Sequence, residues 1–160
     1  EDSEASSEEA EAVAQGDSEG DSKEDDHDEE AEHEHEVHLA GPMYELGRRF
    51  SAIWYAGRAE NTEMIHYQLH EIEELVAELD EHSPKENGVD VVDRLEGDVV
   101  APLEKLEEEM EGSDDVDFEG DYDAITENCT SCHADTGHEV IRVTRPEYNP
   151  YPNIDMEPAD

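Results

Sequence analysis

From Leu39 onward, apolar residues recur at alternating steps of four and three: Leu39, Met43, Leu46, Phe50, Ile53 and Gly57, with Trp54 beside the stripe. Residues spaced in this way share one face of a 3.6-residue turn, so the stripe predicts the inward face of a packed helix, closed by Gly57. A second stripe starts near Asn61 with Met64, Ile65, Leu69, Ile72, Leu75, Val76 and Leu79, and must stop before Ser83-Pro84. Pro84 to Gly88 reads as a loop. Val91, Val92, Leu95, Val99, Leu103, Leu106 and Met110 form a third stripe, with Pro102 inside it to kink or split the helix. After an acidic turn from Gly112 to Asp115, the alternation returns in Phe118, Tyr122, Ile125, Cys129 and Cys132, and Gly137 is placed to cap this fourth helix. Four amphipathic helices with short connections predict an all-α, up-down-up-down four-helix bundle over residues 37–160. Val140 to Val143 and the Pro-rich run to Asp160 form an extended arm, expected against the bundle flank or the edge of a bound cofactor.

Residues 1–36 break this pattern completely. They are Glu, Asp, Ser, Ala and Gly with almost no large apolar side chain, too little to offset the entropy of ordering, so they read as a disordered acidic linker. His27, His33, His35 and His38 stand among carboxylates and offer weak divalent-metal binding, but a solvated spacer explains them more simply.

Charge narrows the choice of partners. The 160 residues hold 50 Asp plus Glu against 9 Lys plus Arg, a formal charge of -41, which excludes nucleic acid and anionic lipid as partners. Eighteen of the acidic residues precede Val37, so the excess extends well into the bundle. Adaptation to high salt, where screening removes the self-repulsion, accounts for a global excess better than a docking patch for basic redox partners, which needs only one face.

The chemistry lies in the fourth helix. Its two cysteines are the only ones in the chain, and they fall in Cys129-Thr130-Ser131-Cys132-His133, the C-x-x-C-H signature of covalent haem c attachment. In that signature the thiols add across the haem vinyl groups and the imidazole is the proximal iron ligand. Zinc would need further ligands at suitable spacing, and a thioredoxin-type pair should open its helix rather than sit late in one. One haem per chain is therefore expected. It implies maturation outside the cytoplasm, hence a periplasmic or other extracytoplasmic protein. No apolar run is long enough to span a bilayer, and an upstream lipid anchor removed from the sequence remains compatible with it.

Met43 is the favoured sixth ligand, since it faces inward at the level where an antiparallel fourth helix would bring His133. His70, near the edge of the second stripe, is the rival. Arg142 and Arg145, scarce cations just after the motif, are candidates to pair with the haem propionates, and Arg48, Arg49 and Arg58 could do so from the first helix. Trp54, Tyr55 and Tyr67 read first as core or rim aromatics.

Taken together, these strings resemble known cytochromes. A haem motif late in a fourth helix resembles the cytochrome c-prime architecture. Ile53-Trp54-Tyr55-Ala56-Gly57, Tyr67-Gln68-Leu69-His70-Glu71, the motif continued to Thr136-Gly137-His138, and Arg145-Pro146 resemble a group of small bacterial monohaem cytochromes over about Met43 to Asp155. The resemblance implies a monohaem c-type cytochrome, and a single haem with no catalytic constellation around it in the sequence points to a one-electron carrier rather than an enzyme. A gas-binding or sensing haem protein with an open distal site is the alternative, and a homodimer is in keeping with similar bundles.

Overall fold

A computed structural model describes residues 38–113 and 115–159; the linker and three of the histidines just discussed lie outside them. The first stripe becomes helix α1 (Ala40–Arg58). Its end is not set by Gly57. Glu60 takes the left-handed conformation (φ 57°), its amide donates to Gly57 O, and the Asn61 amide donates to Ala56 O, the paired bonds of a Schellman turn. Gly57 serves packing instead, because a Cβ there would overlap the ring of Phe118. Overpacking of about 1–3 kcal/mol exceeds the roughly 1 kcal/mol that Ala gains over Gly in a helix. Gly57→Ala should therefore destabilise the fold by on the order of 1 kcal/mol and lower its denaturant midpoint; a raised midpoint would show that Phe118 is free to move.

Asn61 then caps α2 (Thr62–Asp80), its Oδ1 accepting from the Met64 amide at 3.0 Å. The segment after α2 departs from the expected plain loop. It holds an antiparallel hairpin of two very short strands, β1 (Lys85–Glu86) and β2 (Val89–Asp90), joined by Asn87-Gly88 with both residues at positive φ. Asn-Gly suits this turn because both central residues must be left-handed.

The third stripe is one continuous rod in three parts: α3 (Val91–Leu95), a π-helical turn (Glu96–Val100) and α4 (Ala101–Gly112). Pro102 explains the disturbance. It has no N–H to offer Asp98 O four residues back, and that carbonyl instead accepts from Asn128 Nδ2 of the last helix at 3.0 Å. That last helix, α5 (Phe118–Asp135), starts at an Asp117 cap whose carboxylate accepts from the Gly120 amide. It ends in a second Schellman turn, with Gly137 at φ 86° and the His138 amide donating to His133 O.

Contacts run from α1 to α2, from α2 to the third rod, from that rod to α5, and from α5 back to α1. The core between them is built from the predicted stripes, with Ile53, Ile65, Ile72 and Leu103 fully buried. Phe50 and Tyr122 stack at 4.2 Å, and the Tyr122 hydroxyl donates to Phe50 O. Trp54 and Phe118 complete this aromatic cluster, whereas Tyr67 is exposed. Residues after α5 form an irregular arm. Tyr55 Oη donates to Pro146 O, and Asn61 Nδ2 donates to both Met156 O and Glu157 O, which fixes the arm's far end over a buried Met156 at the α1–α2 turn. No helix among the described residues is long and apolar enough to cross a membrane.

Candidate haem site

Gly57 at the end of α1 meets Phe118 at the start of α5, so the two helices run antiparallel and the start of α1 faces the end of α5. Between those facing ends opens a cleft of about 1040 Å³, at the upper end of the range for cofactor sites. Cys129, Cys132, His133 and Met43 all line it. Its walls are otherwise largely apolar: Leu39 precedes α1, Leu46 and Phe50 come from that helix, Val91, Leu95 and Val99 from the third rod, and Ile141 and Val143 from the arm. At Gly47, also on the α1 wall, a Cβ would meet nothing within 4 Å, so a flat group can approach the helix backbone beside Met43.

The motif occupies the last two turns of α5, well away from the helix N-terminus that would favour a thiolate. Both cysteines are free thiols. Burial pushes the Cys129 thiol up to about 12, reinforced by Cys132 and Asp98. Burial likewise raises Cys132, although Arg94 pulls in the other direction. Raised thiols are protonated at neutral pH and make poor partners for disulfide exchange, which runs through the thiolate. Among the described residues, no three His, Cys, Asp or Glu side chains gather closely enough to hold a lone metal ion.

His133 is the position whose requirements are least satisfied by the protein itself. Its Nδ1 is buried without a hydrogen-bond partner, a costly arrangement for an imidazole. Burial lowers its pKa; the Ile141 backbone opposes this and His138 adds to it. The ring is therefore neutral near pH 7, the form that ligates metal. Haem fits these residues: an apolar cleft of suitable size, two thiols one helical turn apart, and a neutral imidazole with unsatisfied capacity.

The remaining candidates divide. His70 stands exposed on α2 beside Glu73 and Glu74 and does not line the cleft. Arg142 is exposed and also outside the cleft. Arg145 lines the cleft, but its guanidinium is taken: it forms a bidentate pair with Asp123 at 2.7 and 2.8 Å, reaches Glu119 at 2.7 Å, and lies over Trp54. It holds the arm to α5. Of the other arginines, Arg58 pairs with Glu119 and Arg49 with Glu45 and Glu71, both away from the cleft, whereas Arg48 lines it.

Comparison with protein families, characterised proteins and solved structures finds no match. The cleft must be read from its own residues. Several of these were not singled out in the sequence: Arg94 and Asp98 on the third rod, His38 as a cleft residue, and the hairpin's Glu86, which faces His138 at 3.5 Å. A hint was present for the first two, an i,i+4 ion pair on a rod otherwise poor in cations. Thr130, inside the motif, is also structural: its hydroxyl accepts from the Val143 amide at 3.1 Å and pins the arm against the cysteines.

Proposed function

We propose that the chain is a monohaem c-type cytochrome carrying single electrons between exported redox partners, and that its helices form an up-down-up-down four-helix bundle with the arm folded along it. The observation that carries this reading is the convergence of Cys129, Cys132, His133 and Met43 on one apolar cleft, with His133 Nδ1 left unpaired. A bound haem iron supplies a reversible one-electron couple. Cys129 and Cys132 would hold the ring through thioether links, His133 would bind the proximal face, and Met43 would present its thioether from α1. The Phe50–Tyr122 stack and the arm would keep water from the ring, which favours rapid transfer with little reorganisation.

Electron transfer is preferred to catalysis because His133 and Met43 would both ligate the iron and leave it no open position for a substrate, although His138 and Glu86 face each other in the same cleft. Basic partners suit the acidic surface, and covalent attachment of haem would require maturation outside the cytoplasm. Gas binding is the competing reading and requires an open distal position. An absorption spectrum of the reduced protein with and without carbon monoxide separates the two: a low-spin spectrum that carbon monoxide leaves unchanged is expected, and a high-spin one that shifts would transfer the assignment to gas binding.

A further inference from the structure

Cations are scarce in this chain, yet three arginines line the cleft: Arg48, Arg94 and Arg145. Resting on the haem reading, we propose that Arg48 is the seat of the haem propionates and so fixes which edge of the ring faces the outer mouth of the cleft. Vinyl and propionate groups lie on opposite halves of the porphyrin. With the vinyls at Cys129 and Cys132, the carboxylates must point away from the end of α5.

That requirement separates the three arginines. Arg94 belongs to the cysteine side, since it donates to Asp135, three residues beyond Cys132, at 2.8 Å, and to Asp98 at 2.5 Å. Both of its ionic partners are already carboxylates of the protein. Arg145 is committed to Asp123 and Glu119. Arg48 keeps the most capacity. Its Nη1 contacts Glu45 at 3.2 Å, and Glu45 is shared with Arg49 at 2.9 Å. Among the described residues, its Nε and Nη2 make no hydrogen bond.

The guanidinium is also held in place. It lies over the ring of Tyr151 from the arm at 4.4 Å and near that of Tyr44 at 5.9 Å, so its planar fork is oriented before any carboxylate arrives. It leaves α1 five residues after Met43, about 7.5 Å along the axis, which suits the edge of a ring whose face Met43 meets. A carboxylate at Arg48 would receive two parallel N–H donors, the arrangement that Arg provides and Lys does not.

The test uses the haem-loaded full chain. Covalent haem is first verified for wild type, Arg48→Ala, Arg48→Lys and Arg94→Ala, and the midpoint potential and the propionate-bending band in resonance Raman are then measured. Removing a positive charge beside the propionates favours the ferric form, so Arg48→Ala should shift the ferric-to-ferrous ratio at fixed potential by roughly tenfold and move the Raman band. Arg48→Lys should restore most of the potential but not the band, a split that loss of packing alone would not produce. If Arg48→Ala misfolds, the band in Arg48→Lys still decides. An unchanged band and potential in the Arg48 variants, or larger shifts in Arg94→Ala, would overturn the assignment while leaving the haem reading intact. A wild-type protein without covalent haem would overturn both.

Discussion

The Cys129→Ser, Cys132→Ser double variant should emerge from expression with the maturation machinery carrying essentially no haem that survives acid-acetone extraction, whereas the parent should retain one per chain. The two sulfurs lie a single turn apart on the cleft wall of α5, so both reach one ring without distortion of the helix. Serine keeps the size and polarity of the site while losing the ability to form a thioether. Each single variant should retain less haem than the parent through one remaining link, and a pyridine haemochrome assay on the extracted protein reads the difference directly. Full haem content in the double variant would end the cytochrome assignment. The helices should persist without haem, because Ile53, Ile65, Ile72 and Leu103 are fully buried and none of them lines the cleft. Circular dichroism of the double variant checks this, and loss of helical signal would show that the cofactor is part of the core.

Met43→Ala should remove the sulfur-to-iron charge-transfer band and let carbon monoxide bind, a change from a closed to an open iron in one substitution. Met43 is half-buried on the α1 wall of the cleft that His133 also lines from α5. A thioether opposite imidazole also raises the reduction potential, so the variant's loss of that ligand is measurable electrochemically. His70→Ala should leave the spectrum untouched, given its exposure beside Glu73 and Glu74. If Met43→Ala stays six-coordinate with a nitrogen ligand, His38 at the start of the same wall becomes the distal group. If the parent already binds carbon monoxide, the distal position is open and gas binding is the better description.

The helices were readable because each carries a long apolar stripe, and length makes periodicity reliable. Their ends were readable where a cap has a chemical signature, as at Asn61 and Gly137. Gly57 misled, because a glycine near a helix end looks the same in sequence whether it supplies a left-handed turn or room for a ring; only the position of Phe118 distinguishes them. The hairpin at Asn87-Gly88 had its turn signal in plain view, but strands of two residues are too short to show alternation. The C-x-x-C-H motif pointed to the stretch of α5 that lines the cleft. The cleft's other walls were hidden, since an irregular arm has no period from which its contacts could be inferred. His70 illustrates the limit of stripe reasoning: it follows Leu69 by 100° around α2, enough to carry it from the seam into solvent.

Asn61 gives the molecule an order of opening. One amide side chain caps α2 through its oxygen and holds the arm through its nitrogen, 95 and 96 residues away in sequence. Contacts that close so long a loop are formed late in folding and are the least supported by neighbours, so the arm is expected to dock last and release first. Its release would uncover the cleft along Val143 to Pro150 without disturbing the helices. Access to the cleft is thereby coupled to a sub-global equilibrium that costs less than unfolding, and a protease probing the native protein should cut the arm before any helix.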